Sequence, residues 1–460
     1  MSSYHRYHIE TEPIPNLAGH PNRFVVKVRR VKLAELLIKE LLRERFDLAV
    51  VASRPCVYGV FSRPIGGFAP KPQFCVGCLR CTVQYPDVVQ IHPNPARLEL
   101  GDSFMTPDQV DTILYEAASG RVPVRGAGYR GPFAGPGWDG LWTDMSEIVR
   151  PTRDGIHGRE FISTSVDLGS KPAFLDFDSS GNPTGATPKT IILPIPCLFD
   201  PPPTTVSDRQ VWRAFSEAAG ALKTLMVLPV RSMLELALQG PQFAPVVTPA
   251  NLADLDRLSE PPRMIELEGW QPEAFEQLQR AFPKAVVGIR MPYSDEVVEL
   301  ARRGVGLLHL TADYHGGTGR GFVMDAIRAA HESLVAEGLR EQVTLVGSGG
   351  IAAAEHVPKA ILCGLDAVAL DTPLLIALQG RFRGECADPL TAEVEFPALR
   401  PAWGAQRLCN LVASWRDQLL EILGAMGLRE VRRLRGELGR AMFHADLERE
   451  AFASIQGFEG

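Results

Sequence analysis

Long hydrophobic runs are missing from this 460-residue chain. Apolar stretches such as Ile191–Leu193 are broken by residues like Pro194 and Pro196, far short of the ~20 residues a bilayer-spanning helix needs, so no membrane segment is expected. The N-terminal run Met-Ser-Ser-Tyr-His-Arg-Tyr-His carries no apolar signal core, and a cytoplasmic protein is the expectation. A basic excess is missing too. With 48 Lys and Arg against 54 Asp and Glu the net charge is −6, which points away from nucleic acid, and no block of like charge forms a tail. Cysteine is sparse: eight in so long a chain do not make a disulfide framework. What remains is ordinary globular composition, 45% hydrophobic and 22% charged, at a length that supports two or three domains.

Three of the cysteines are concentrated in Phe74-Cys-Val-Gly-Cys-Leu-Arg-Cys-Thr-Val-Gln-Tyr-Pro86. This is the C-x2-C-x2-C-x3-C-P frame of a bacterial ferredoxin, with Tyr85 standing where the fourth cysteine belongs. The spacing brings soft sulfurs onto one short loop, which suits an iron–sulfur cluster, 4Fe-4S or 3Fe-4S. Cys56, in the same Pro-, Gly- and Cys-rich stretch, is the nearest candidate for a fourth ligand, so the expected metal set is Cys56, Cys75, Cys78 and Cys81. Three alternatives stay open: Tyr85 through its oxygen, a three-iron cluster on three thiolates, or a tetrahedral zinc site. Zinc sites more often use two separated C-x2-C pairs. Cys197 and Cys363 read as small buried hydrophobes.

Residues 33–45 have helical apolar spacing, and 46–52 read as a short buried strand. Thr106-Pro107-Asp108 is a helix start, with Thr as N-cap and Pro in the first turn, and that helix should end near Gly120. Gly126-Ala-Gly-Tyr-Arg-Gly131 matches G-x-G-x-x-G by letter but is followed by Pro132 and more glycine, so a Rossmann reading fails its context. The second half alternates short β-branched runs with helical stretches. Expected strands are Ile191–Ile195, Thr224–Leu228, Ala244–Val247, Met264–Leu267, Ala285–Ile289, Gly306–Leu310, Val343–Val346 and Ala367–Leu370. Eight such βα units predict a closed (β/α)8 TIM barrel, with an open doubly wound sheet as the alternative. A helical tail is expected over Gln406–Gly427 and Leu428–Leu447. The expected division is an N-terminal α/β segment (1–52), a ferredoxin-like iron–sulfur module (53–100), a helix and Gly/Pro-rich connection (101–150), the barrel (151–395) and a helical segment (396–460).

In a barrel, function gathers at the C-terminal ends of the strands, and the loops after strands seven and eight often grip phosphate. Strand seven ends Thr344-Leu-Val-Gly-Ser-Gly-Gly-Ile351, where glycines allow close backbone approach to an anion. The loop after strand six, Thr311-Ala-Asp-Tyr-His-Gly-Gly-Thr-Gly-Arg320, is a polar lip where a planar cofactor or an anion could rest.

This ordered series, together with Leu365-Asp-Ala-Val-Ala-Leu-Asp-Thr-Pro-Leu-Leu-Ile-Ala-Leu378 and the tail from Leu408 to Arg429, resembles the FMN-binding barrel of the glutamate synthase family. A ferredoxin-like module ahead of the barrel is similar to archaeal-type members. The resemblance implies FMN on Gly316, Gly317, Thr318, Gly347, Ser348, Gly349, Gly350 and Thr372, with Arg290 and His315 as catalytic candidates. It implies an iron–sulfur flavoprotein oxidoreductase passing electrons between cluster and FMN, with a partner such as ferredoxin or another redox subunit and a small carboxylate substrate. The chain also departs from the family. His315 stands where an Asp is usual, Arg290 where a Lys is usual, and Asp371 where a glycine contacts flavin phosphate. The barrel's own three-cysteine motif is missing, leaving only Cys386 there. No glutaminase domain precedes the barrel and Met1-Ser2-Ser3 offers no N-terminal cysteine, so ammonia release from glutamine is not expected. Where the family has longer loops after strands one and four, this chain has the proline-rich Pro196-Cys-Leu-Phe-Asp-Pro-Pro-Pro203 and a short Glu268-Gly-Trp. Asp371 and these trimmed loops favour the competing expectation, a flavin-free barrel acting as a scaffold or regulatory subunit with a structural metal site.

Overall fold

The computed structural model describes residues 7–47, 49, 51, 56–62, 67–123, 135, 137–143, 161–172, 174, 176–184, 189–455 and 457. The G-x-G-x-x-G segment at 126–131 lies outside them.

The N-terminal module is an antiparallel pair, Phe24–Val28 against Val89–Pro93, with Phe24 opposite Pro93 and Val28 opposite Val89. Helix Arg30–Arg43 lies against it. Its buried centre is small: Leu33, Val88 and Val89, flanked by Val26, Phe61, Phe68, Cys81 and Tyr85 among others. So small a core needs a further source of stability, as metal-clipped modules do. Among the described residues of 46–52 the expected strand is not seen. Arg45 and Phe46 turn left-handed, at φ 51° and 67°, and Ala49 and Val51 are helical. Asp47 accepts a hydrogen bond from the Ala49 amide at 2.9 Å, an Asx turn that diverts the chain before a strand can start.

Helix Pro107–Ser119 begins at Thr106 and ends on Gly120 at φ 65°, as its sequence signals predict. It docks on the long helix Pro401–Ala425 through buried polar contacts. Asn410 donates to Ala117 O at 2.9 Å, and Trp415 Nε1 donates to Glu116 Oε2 at 2.8 Å.

Eight parallel strands close the barrel: Cys197–Phe199, Met226–Pro229, Phe243–Val247, Met264–Glu268, Val286–Pro292, Leu307–Thr311, Thr344–Ser348 and Ala367–Leu370. The eighth pairs with the first, Leu370 opposite Phe199, which leaves no open edge. Each is followed by a helix or helical turn, from Arg209–Leu222 after the first to Thr372–Ala377 after the eighth. The open-sheet alternative is excluded.

The first strand is displaced from its expected place. Thr190–Leu193 instead pairs antiparallel with Val166–Gly169 in a two-stranded sheet beneath the barrel. There Gly169 exchanges hydrogen bonds with the Thr344 hydroxyl, 3.0 Å to its amide and 2.9 Å to its carbonyl, at the start of strand seven. Burial explains the exchange of roles. Residues 190–193 alternate exposed and buried, whereas Cys197–Phe199 is buried throughout, as a barrel strand covered on both faces must be.

The tail also differs from expectation. After Pro401–Ala425, Gly427 takes φ 70° and stops the helix. Leu428–Leu447 is therefore not one helix. It holds the turns Val431–Arg433 and Leu438–Arg440, then a strand, Ala441–Phe443, paired with Leu141–Thr143, and the start of helix His444–Phe452. Among the described residues no helix is long and apolar enough to cross a membrane.

Candidate active site at the barrel mouth

The fifth strand, Val286–Pro292, projects Arg290 into the C-terminal end of the barrel. Its guanidinium is fully engaged on one side. Nη1 and Nη2 donate to the two carboxylate oxygens of Asp200 at 2.9 and 2.8 Å, a bidentate fork in which each oxygen meets its own nitrogen. Asp200 ends the first strand, where its amide bonds Leu370 O at 2.8 Å, so closure of the barrel places this carboxylate. Arg290 also lies 3.0 Å from His309 Nδ1 and 3.5 Å from Glu266 Oε2. His309 and Glu266, both fully buried on strands six and four, meet at 2.8 Å.

Burial alone would raise the Asp200 carboxyl, but the Arg290 charge and the neighbouring His309 outweigh it and hold the group below its ordinary range. Desolvation likewise opposes charge on Arg290, and Asp200 and Glu266 overcome it, so the guanidinium stays protonated.

Asp371 completes the mouth after strand eight. Its carboxylate accepts from the Gly349 amide at 3.1 Å and the Thr372 hydroxyl at 3.1 Å, and from the Thr372 amide. The side chain is buried, and desolvation followed by the charge of Asp200 pushes its pKa up to about 7. Tyr314, also buried, is driven far above the ordinary phenol range by desolvation, with Asp371 and Asp200 adding to the shift.

The expected cofactor residues fall into two groups. Gly349 and Thr372 turn their amides toward one anionic group, and Ser348 donates its hydroxyl to Asp200. The others serve packing or turns. A Cβ on Gly316 would lie 2.5 Å from the Phe322 ring, one on Gly350 would lie 2.8 Å from Gly316 Cα, and one on Gly347 would meet Tyr293 Oη at 2.6 Å. Gly317 N donates to Asp313 at 2.7 Å, and Thr318 Oγ1 donates back to Gly321 O at 3.0 Å. Thr318 also lines a cavity of about 350 Å³ with Tyr293, Asp295, Arg320, Phe322 and Asp325. Trp138, fully buried, caps the glycine layer by donating to Gly350 O at 2.7 Å.

His315 is not joined to Arg290. Its Nε2 meets Asp102 at 2.9 Å and its ring stacks on Phe104 at 5.5 Å, with Glu385 3.9 Å away. The histidine that does reach Arg290 is His309. Arg231 stays at the surface, two-thirds exposed and 3.6 Å from Asp254. Asp200, Glu266 and His309 escaped the sequence reading. Their signal was a lone polar residue inside or directly after an otherwise apolar strand, as in Met-Ile-Glu-Leu-Glu and Leu-Leu-His-Leu-Thr.

In the N-terminal module Cys75 feels the charges of Cys56 and Cys78, and Cys81 those of Cys75 and Cys78. Cys75 is buried, Cys78 exposed, Cys56 and Cys81 in between. Burial raises the Cys75 thiol first, with Cys56 and Cys78 adding, while a hydrogen bond from the Gly77 backbone opposes the shift. Cys81 is raised by burial and then by Cys75 and Cys78, against hydrogen bonds from Thr82. Gly77 at φ 69° and Leu79 at φ 59° curl the loop around the sulfurs, and a Cβ on Gly77 would lie 2.3 Å from the Phe24 ring. Several thiols with converging backbone amides are the donor set an iron–sulfur cluster uses.

Comparison with known proteins gives similarities to glutamate synthases. Residues 311–429 match the model described as a conserved region in glutamate synthase. The chain is 25% identical to archaeal-type glutamate synthase (NADPH) of Dehalococcoides mccartyi, over 80% of this chain and 86% of that protein. It is 23% identical to archaeal glutamate synthase (NADPH) of Archaeoglobus fulgidus, over 88% and 93%. The Methanocaldococcus jannaschii protein of the same name is 30% identical over 44% of this chain and 41% of its own length. Among solved structures, a flavocytochrome b2 variant with sulfite bound aligns at TM-score 0.40 and 12% identity, covering 62% of this chain and 75% of that one.

Proposed function

We propose that the chain, similar over most of its length to archaeal-type glutamate synthases, is an iron–sulfur flavoprotein oxidoreductase. In this reading Cys56, Cys75, Cys78 and Cys81 hold a cluster, and the barrel mouth takes FMN, with the phosphate on the Gly349 and Thr372 amides. A cluster exchanges one electron and a flavin one or two, so together they connect redox partners of both kinds. The relatives carry NADPH in their names, which makes a nicotinamide, or a ferredoxin-like protein standing between, the proposed electron source.

The observation that carries this reading is the pair of amides after strands seven and eight, which converge on a buried carboxylate and so fit an anion. Around them the chain's own residues have definite tasks. Asp200 holds the Arg290 fork in place. Glu266 orients His309 from below. His309 is the group placed to hold or move a proton beside Arg290. Tyr314, kept neutral by burial, is a phenol available to donate a hydrogen bond.

A second reading is favoured by one specific observation. Asp371 already occupies the two amides, as a flavin-free scaffold barrel would allow. Anaerobic purification followed by a visible spectrum and iron, zinc and flavin analysis separates the two. Flavin bands over a broad iron–sulfur shoulder support the oxidoreductase; a colourless protein containing zinc sinks it.

A further inference from the structure

The donors that would receive a cofactor phosphate are already satisfied from within the chain. Asp371 Oδ2 accepts from Gly349 N at 3.1 Å, 22 residues away, while Oδ1 takes the Thr372 amide and hydroxyl. This is the bonding a phosphate oxygen would demand, supplied by a carboxylate on the neighbouring residue. Gly349 cannot retreat to open a second position. It sits at φ 91°, and its Cα faces Asp313 O and Ala312 O so closely that a Cβ would lie 2.3 and 2.8 Å from them. An entering phosphate therefore meets both a filled cradle and a like charge.

We propose that Asp371 is an intramolecular occupant of the Gly349–Thr372 anion cradle, competing with the cofactor phosphate and setting how tightly FMN is held. The inference rests on the reading of these amides as the phosphate site. The charged and titratable groups facing Asp371 are Asp200 from the first strand and Tyr314 from the loop after the sixth, with Arg290 and Cys386 behind them. Of these, Arg290 is spent on Asp200 and Glu266, so among the described residues facing Asp371 no free cation offsets a phosphate. Because burial and Asp200 raise its carboxyl to about 7, Asp371 loses its charge as the pH falls below neutrality, and the competition weakens with it.

The test uses the full-length protein stripped of flavin, titrated with FMN and with riboflavin, which lacks the phosphate, and followed by flavin fluorescence at pH 6 and pH 8. Asp371→Gly should bind FMN at least about tenfold tighter than wild type at pH 8, and by less at pH 6. Riboflavin affinity should barely change. Asp371→Asn, which keeps the shape and removes the charge, should move in the same direction. Wild type binding FMN as tightly as both variants at pH 8 overturns the proposal while leaving the flavoprotein reading intact, and so does an equal gain for riboflavin. Should no form bind either flavin, calorimetry with inorganic phosphate decides. A gain in Asp371→Gly over wild type then keeps Asp371 as the occupant of an anion cradle but overturns its competition with FMN together with the flavin reading; no gain overturns both.

Discussion

Replacing Arg290 by Ala strips the buried Asp200 of its ion pair and leaves Glu266 with His309 alone. Asp200 and Glu266 have side chains only 9% and 0% exposed, and Arg290 reaches them at 2.8 and 3.5 Å. Breaking a buried ion pair from one side costs about 3–5 kcal/mol, because the remaining charge has neither water nor a partner. For a unit of barrel size this corresponds to a fall in melting temperature of roughly 6–20 °C. The pH dependence has a definite sign. In the wild type the Asp200 carboxyl lies below its unfolded value, so it contributes stability above that value and loses it as pH falls through the folded one. Without the guanidinium, burial dominates and raises Asp200 instead. The folded variant then binds protons the unfolded chain does not, and stability should recover as pH falls from 7 toward 5. Circular-dichroism melts of wild type and Arg290→Ala at pH 5 and 7 read both effects. The combination Arg290→Met, Asp200→Asn and Glu266→Gln removes the stranded charges and should regain most of the loss. A drop below about 2 °C, or a large drop that pH does not modulate, refutes the ion pair as the mouth's main electrostatic support.

Asp371 predicts the opposite trend for the wild type. Its folded pKa of about 7 exceeds the unfolded value, so folded protein binds the extra proton between about pH 4 and 7, and stability falls as pH rises through that window. Asp371→Asn should flatten the curve, and urea midpoints at pH 5 and 8 that run parallel for both proteins would contradict this. Gly349→Ala should destabilise by about 1–3 kcal/mol from backbone strain alone, with the contact to Asp313 O adding to it; an unchanged urea midpoint would remove the case for that close approach. Cys56→Ser should lose much of the protein's iron while Cys363→Ser, deep in the barrel wall, keeps it, as read by iron content after anaerobic purification. Equal iron in the Cys56 variant moves attention to Tyr85 or a three-iron cluster.

The barrel was legible because seven of its eight strands are short apolar runs in register with a helical rhythm, and that periodicity is a local property. The first strand was not. Ile191–Ile195 is the more β-branched run, and only the pattern of burial, visible once Val166–Gly169 pairs with it, hands the barrel position to Cys197–Phe199. That displacement also hid Asp200, which read as part of a proline-rich loop and is in fact the cap of a central strand. The cysteine frame could be read locally because its cysteines are three residues apart, whereas the placing of Cys56 beside Cys75 depends on tertiary folding. The glycine loops were half legible. Sequence identified positions needing close approach, but whether the approaching group is a phosphate or another loop depends on partners such as Phe322 and Trp138, far away in the chain.

The same distinction decides what kind of site the mouth is. An arginine at the end of strand five suggests a cation waiting for a substrate carboxylate or a reduced flavin. Here its fork is closed on Asp200, Glu266 stands behind it, and Asp371 fills the neighbouring amides. Among the described residues the mouth thus holds three carboxylates and one guanidinium, largely buried from water. Such a balance is eased when one carboxyl takes up a proton near neutrality, and the structure makes the choice through geometry. Asp200 takes the bidentate partner and stays ionised, while Asp371, with hydrogen bonds but no cation, is the one pushed up to about 7. An anionic ligand therefore has to exchange with a carboxylate of the protein rather than enter an empty positive pocket, which ties the affinity of this barrel for any anion to the protonation of Asp371.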